Sequence, residues 1–256
     1  MSCMVRDRSG SRSVSLMFSG GVDSTTAALE LSKTHDQVHL LTFRNGYGHY
    51  KIERTAKRVR EIERHSGKRF IHHVESVQHI FDVMLMDNLR AEYKRWGSGF
   101  IWCLGCKLAM HTRSVLYNLE HGITTMADGS SSSTGEMVEQ SLLSLYLFRE
   151  LYGERGIRFT TPVYTIPREQ EIESLKKRGF RMGLRIKDRF LGVQPKCHPG
   201  ELYYLPFLIF DQPPAHDEDK VTAFLDEKRE VAREYIDRRC RELGIPSRIE
   251  HEEEEG

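Results

Sequence analysis

No stretch of the 256 residues is apolar for long enough to cross a membrane, and with 39% hydrophobic residues the chain reads as soluble. The opening MSCMVRDRSGSRS lacks the apolar centre of a secretory signal; it is polar and basic, and 1–13 is expected to be a flexible arm. Cysteine is scarce, five in all, and the spacings suggest no stapled framework, which excludes a disulfide scaffold and fits the reducing cytoplasm. Internal repeats are absent, and the serines at 130–133 are the only low-complexity patch. Nor does one sign of charge dominate, since the net is +1. That balance conceals an asymmetry. Residues 211–256 carry 15 acidic against 8 basic side chains, whereas 1–210 carry 30 basic against 22 acidic. The basic part favours a polyanionic partner, although a solvated positive surface around a nucleotide site would give the same excess.

What is present is concentrated at 14–25, VSLMFSGGVDST. A short apolar run, a turn with two adjacent glycines and a stretch of helix formers read as strand, phosphate-cradling loop and helix. Such a loop aims backbone N–H groups and a helix N-terminus at one point, and its glycines let a polyanion come close. Ser19, Ser24 and Thr25 add hydroxyl donors. Asp23, which would repel a bare phosphate, makes sense with Mg²⁺ between it and the phosphates. No lysine follows the glycines, so this is not the Walker A loop of kinases and GTPases.

Downstream, helices and strands alternate: helix 22–33, strand 37–43, helix 48–66, strand 69–75, helix 77–96, helix about 106–120, strand 123–127, helix about 136–152, strand 157–159. This is the pattern of right-handed βαβ units, an α/β doubly wound parallel sheet covered on both faces, with ligands at the carboxyl ends of the strands. A short helix at 167–178, an irregular basic stretch at 181–199 and a long charged helix at 217–243 follow. The expected division is an ATP-binding domain at 14–165, a basic segment at 166–210, and a C-terminal helical extension with an acidic tail at 211–256.

The residues SGGVDST at 19–25 resemble the signature of the PP-loop ATP pyrophosphatases, which cleave ATP between the α- and β-phosphates. The resemblance implies a five-stranded, adenine nucleotide α-hydrolase-like sheet in the order 3-2-1-4-5. It also implies ATP and Mg²⁺ bound around Ser19, Gly20, Gly21, Val22, Asp23, Ser24, Thr25, Phe43 and Gly129.

A second constellation is Cys103-Leu-Gly-Cys106, with Cys197 far downstream in QPKCHPG. In a CxxC turn capped by a helix N-terminus, two sulfurs face one side with lowered pKa values. Three thiolates with an open fourth position suit a [4Fe–4S] cluster; completed by His111 or His198 they suit Zn²⁺. A metal-free redox pair and buried free thiols are further readings. Within the PP-loop group, the cluster-dependent tRNA 2-thiocytidine and 2-thiouridine synthetases are similar in having a loop near the N-terminus, a CxxC in mid-chain and a late third cysteine. Here 84 residues separate Ser19 from Cys103 and 91 separate Cys106 from Cys197. The stretch TPVYTIPREQEI at 161–172 also resembles theirs. Two departures stand out. Asp128-Gly-Ser-Ser-Ser-Ser-Thr-Gly-Glu136 replaces their GHxxDD-like sequence, and Met110 stands where they place a basic residue, with Lys107 and His111 nearby.

The reaction implied is adenylation of an acceptor oxygen, with loss of pyrophosphate, and then displacement of AMP by sulfur. Candidate catalytic residues are Asp23, Cys103 and Cys106, with Cys103, Cys106 and Cys197 as metal ligands and Asp128 and Glu136 as acid/base or Mg²⁺ ligands. The acceptor is a tRNA base or a nucleobase-like compound, and the sulfur donor is sulfide or a persulfide carrier. A basic strip of Lys176, Lys177, Arg178, Arg181, Arg185, Lys187 and Arg189, interleaved with Phe180 and Phe190, could contact RNA or be a solvated loop face. Trp96 and Trp102 are expected to exclude water from the site. His72, His73, His79, Cys3 and Cys240 read as surface, packing or lone residues, and the long C-terminal helix packs on the core or on a second copy in a homodimer. Two other classes compete. One is a zinc-containing PP-loop ligase of the deazaguanine-forming kind, which would transfer nitrogen; the other is a nucleotide-binding module without catalysis.

Overall fold

The structure, a computed structural model, describes residues 12–97, 99–180, 195–206 and 216–250. Five parallel strands form the main sheet: β1 (Ser13–Met17), β2 (Gln37–Arg44), β4 (Ile71–Ser76), β5 (Thr125–Asp128) and β6 (Arg158–Thr160). Their order is β4-β2-β1-β5-β6, which is 3-2-1-4-5 when these strands alone are counted. The reversal of direction falls between β1 and β5, so a crevice opens at their carboxyl ends. A two-stranded antiparallel ribbon joins β3 (His49–Tyr50) to β7 (Lys196–Cys197), with His49 opposite Cys197, and the short helix α8 (His198–Tyr203) follows it.

Alternation along the strands divides the core in two. Val14 and Leu16 of the first strand, Phe18 just after it, and Val38 and Leu40 of the second face α1 (Val22–Thr34), α2 (Thr55–Ser66) and α7 (Arg168–Lys177). Met17, Leu41 and Phe43 face α3 (Gln78–Met84), α5 (Phe100–His121), α6 (Leu142–Gly153) and α9 (Glu218–Leu243). Ser15 points the same way as Met17, and its hydroxyl donates to Asn118 Oδ1 at 2.5 Å inside the core. The C-terminal helix α9 lies on the core of this chain, burying Val221, Phe224, Leu225, Ala232, Tyr235, Ile236 and Cys240. Its charged flank is tied down where Lys228 meets Glu92 at 2.5 Å and Arg95 meets Glu227 at 2.6 Å. No helix among the described residues is long and apolar enough to cross a membrane.

The helix expected over about 136–152 begins at Leu142, and three further boundaries differ from expectation. The helix expected over 48–66 begins at Thr55, because Lys51 adopts a left-handed φ of 61° and His49–Tyr50 is taken by the ribbon. The helix expected over 77–96 is two, α3 and α4 (Leu89–Trp96), broken at Leu85, whose φ and ψ are −143° and −49°. The cysteine turn is not a loop, since α5 starts at Phe100 and runs through both cysteines. Phe100, Ile101, Leu104 and Leu108 give it a buried face. Gly105 fits inside it because a Cβ there would already stand 3.3 Å from Leu85 Cδ2 and 3.4 Å from Phe81 Cε2.

Candidate active site

The glycines of 19–25 set the loop's path. Gly20 takes a left-handed φ of 71°, and Gly21 is extended and caps α1, whose first turn closes with Thr25 N–H donating to Gly21 O at 3.0 Å. Ser19 Oγ lies 3.1 Å from Ser24 Oγ and accepts from Gly21 N–H at 3.3 Å, so the two hydroxyls brace the loop from within. Arg58 of α2 reaches over to donate Nε–H to Gly20 O at 3.3 Å. The positive end of the α1 dipole and its unpaired N–H groups therefore open into the crevice, which is what an anion requires.

That crevice is a cleft of about 580 Å³. Ser19, Asp23, Ser24, Phe43 and Gly129 line it together with Cys103, Cys106, Cys197 and Trp102. Gly20, Gly21, Val22 and Thr25 shape the loop without lining the cleft. Gly129 is a glycine by necessity, because a Cβ there would stand 2.8 Å from Ser24 Cα and 2.9 Å from Ser24 N.

The cysteines come together from two elements. Cys103 and Cys106 lie one helical turn apart on α5, and β7 brings in Cys197 beside His49. The Sγ atoms of Cys197 and Cys103 lie 3.7 and 3.9 Å from one point, the place a Cβ on Gly200 would occupy. Cys106 Sγ accepts from Asn45 Nδ2 at 3.3 Å and has His49 Nε2 at 3.9 Å. The helix start does not lower these thiols as the CxxC pattern suggests. Burial pushes Cys106 up to about 12 against the opposing hydrogen bond from Asn45, and burial raises Cys103 and Cys197 as well. Burial also lowers His49, keeping its imidazole neutral.

Three thiols and an imidazole are the donor chemistry of zinc and iron. Among the described residues, however, no three such groups are arranged to hold an ion. The expected fourth ligands lie elsewhere. His111 is buried against Phe148 and Tyr152, 3.7 Å from Asp128, and His198 stacks on Tyr50. His49 is the histidine that meets the cysteines, and only the ribbon pairing, which has no local sequence signal, puts it there.

Asp128, at the end of β5, lines the cleft with Oδ2 2.7 Å from Lys107 Nζ and Oδ1 accepting from Ser130 N–H at 2.9 Å. Burial alone would raise its carboxyl, but Lys107, His111 and Ser130 together bring it below the usual range. Glu136 is exposed and away from the cleft, which instead holds Glu139. Burial raises the Glu139 carboxyl, and Tyr204 O–H donates to it at 2.6 Å. Sequence reading missed Glu139 because a short turn at Val138–Gln140 precedes α6 and changes the phase of the residues before the helix.

Near the loop, Arg168 Nη1 stands 2.7 Å from Asp23 Oδ1. Burial, and Asp23 after it, push the Glu171 carboxyl up to about 8. Of the aromatics expected at the site, Trp102 is there, but Trp96 packs on Phe224 beneath α9. Phe180 is buried against His65 and Arg58 and is not free to stack on a base. Lys176, Lys177 and Arg178 are exposed at the end of α7, while Arg181, Arg185, Lys187, Arg189, Phe190 and Cys3 lie outside the described residues.

Residues 13–93 match the family "Queuosine biosynthesis protein QueC". Two solved structures are similar in outline. A predicted subunit of tRNA methyltransferase from Methanocaldococcus jannaschii matches at 16% identity and a TM-score of 0.43, over 80% of this chain and 93% of its own. NMN synthetase from Francisella tularensis matches at 14% and 0.42, over 86% and 87%. No curated protein matches the chain. The matched stretch, 13–93, is the part of the chain that holds the SGGVDST loop at the start of α1.

Proposed function

We propose that the protein activates an acceptor oxygen with ATP, releasing pyrophosphate, and replaces it with sulfur carried by the cysteine wall. The observation that carries this reading is that one cleft is lined both by the loop and by Cys103, Cys106 and Cys197. A structural thiol set has no need to face the nucleotide; a sulfur-delivering one does.

The loop and the N-terminus of α1 hold the β- and γ-phosphates, placing the α-phosphate toward Asp128 and Lys107. Bound Mg²⁺ would neutralise developing phosphate charge, and Asp23 fits it as a ligand. Among the described residues the three cysteines are not arranged to hold an ion, and they act as thiols. The acceptor oxygen attacks the α-phosphate, the bond to the β-phosphate breaks, and pyrophosphate leaves. A persulfide loaded onto Cys103 or Cys197 by an external sulfur donor then attacks the activated carbon, and AMP departs with the former oxygen. The other cysteine of the pair attacks the sulfur still bonded to the enzyme, releasing the thiocarbonyl product and leaving a disulfide that an external thiol reduces.

The match of 13–93 to QueC favours a second reading, in which ammonia takes the place of sulfur. Both are decided by one experiment. The protein is incubated with ATP, a persulfide donor, [15N]ammonium and deproteinised cellular RNA with nucleosides, and the digested products are resolved by mass spectrometry. Sulfur incorporation that disappears in Cys103→Ala and in Cys197→Ala is the expected result. Incorporation of 15N without sulfur would overturn the first reading in favour of the second.

A further inference from the structure

We infer that Glu171, on α7, is the second carboxylate of the divalent-cation site that serves the nucleotide, with Asp23 as the first. The inference rests on the ATP reading above and adds to it a ligand that the sequence pattern does not single out, since Glu171 falls within an ordinary amphipathic helix.

Glu171 is only 1% exposed, and neither of its carboxylate oxygens has a hydrogen-bond donor. A buried carboxylate left without a donor is costly, and native structures keep such groups where something binds them. The charged groups that act on it are Asp23, in the first turn of α1, and Arg168, one turn earlier on its own helix. Across the α1–α7 contact the two carboxylates oppose each other, a repulsion that a shared proton relieves and that a divalent cation between them would relieve in its place.

Arg168 supplies part of that charge, through Nη1 at 2.7 Å from Asp23 Oδ1. Its side chain is 35% exposed, so it can leave without disturbing the core. A hard divalent cation prefers carboxylate and phosphate oxygens, and Asp23 lies where the cleft meets the loop. The two acids expected from the sequence to serve the metal are less suited. Asp128 is held by Lys107, whose side chain is mostly buried where that of Arg168 is not, and Glu136 is exposed to solvent, which already satisfies its carboxylate.

The test uses Mn²⁺ as the probe, read by loss of its free electron-paramagnetic-resonance signal, with the full chain and α,β-methylene-ATP. In Glu171→Gln, Mn²⁺ affinity of the analogue complex falls by at least about tenfold. Binding of the analogue in EDTA stays at the parent level. Glu171→Asp recovers part of the loss, which separates coordination from folding. Arg168→Ala moves the other way, so that the nucleotide-free protein binds Mn²⁺ more tightly than the parent. Undiminished Mn²⁺ affinity in Glu171→Gln would overturn the inference alone, as would equal loss of analogue binding in EDTA, the mark of a packing role. Failure of the parent to bind the analogue at all would overturn the ATP reading and this inference with it.

Discussion

Gly129→Ala is expected to reduce pyrophosphate release by about 100-fold while the protein remains folded. The methyl group would stand 2.8 Å from Ser24 Cα, 2.9 Å from Ser24 N and 3.2 Å from Ser24 Cβ. Two of these three are backbone atoms, so no side-chain rotation relieves the contact. Neither side can retreat cheaply. Gly129 directly follows Asp128, which pairs with Met17 in the sheet, and Ser24 is held in the first turns of α1. Overpacking of this kind costs about 1–3 kcal/mol, which a chain of this size survives. A shift of the loop by a fraction of an ångström, however, displaces the N–H groups that hold the phosphates. Steady-state pyrophosphate release and analogue affinity, measured beside a thermal melt, check the prediction. Unchanged turnover in Gly129→Ala would mean that the phosphates do not sit on this loop.

Lys107→Met is the second large effect, and it concerns stability. Asp128 is 3% exposed and its nearest cation is Lys107, at 2.7 Å. Removing one partner of a buried pair leaves the other charge uncompensated, at a cost of about 3–5 kcal/mol, or roughly 10 °C in melting temperature for a chain of this length. The pH dependence follows from the direction of the Asp128 shift. Its folded carboxyl lies below the usual range, so the pair stabilises at neutral pH, and that contribution is lost as pH falls through the depressed value. Lys107→Met should therefore flatten the acid limb of the stability profile. Asp128→Asn in the same chain should restore much of the loss, because the stranded charge goes with it. If the double variant melts no higher than Lys107→Met, the pair is not what the lysine supports.

Much of the fold could be read from local pattern. The alternation in Val14, Leu16 and Phe18 against Met17, and in Val38 and Leu40 against Leu41 and Phe43, is the two-faced burial of a central parallel sheet. The loop was legible because its glycines and hydroxyls are contiguous. The cysteine wall was legible in membership and not in shape. Cys103 and Cys106 lie on a helix because Phe100, Ile101, Leu104 and Leu108 bury one face, a signal that the CxxC pattern with its central glycine overrides for a reader of sequence. His49, Glu139 and Glu171 were not legible, and for one reason. Each is set in place by pairing or packing between distant segments: His49 by the ribbon with Cys197, Glu139 by the hydroxyl of Tyr204, and Glu171 by the contact of α7 with α1. The lowered thiol pKa values expected of the CxxC failed because burial outweighs the helix N-terminus.

The most direct test of the central claim is the identity of the nucleotide products. The protein is given ATP, a persulfide donor, a thiol reductant and the pool of deproteinised RNA with nucleosides, and the products are resolved by 31P magnetic resonance. AMP and pyrophosphate in equal amounts, formed only with the acceptor pool present and lost in Gly129→Ala, are the predicted result. ADP and orthophosphate would place cleavage at the γ-phosphate and contradict activation of an acceptor by adenylation.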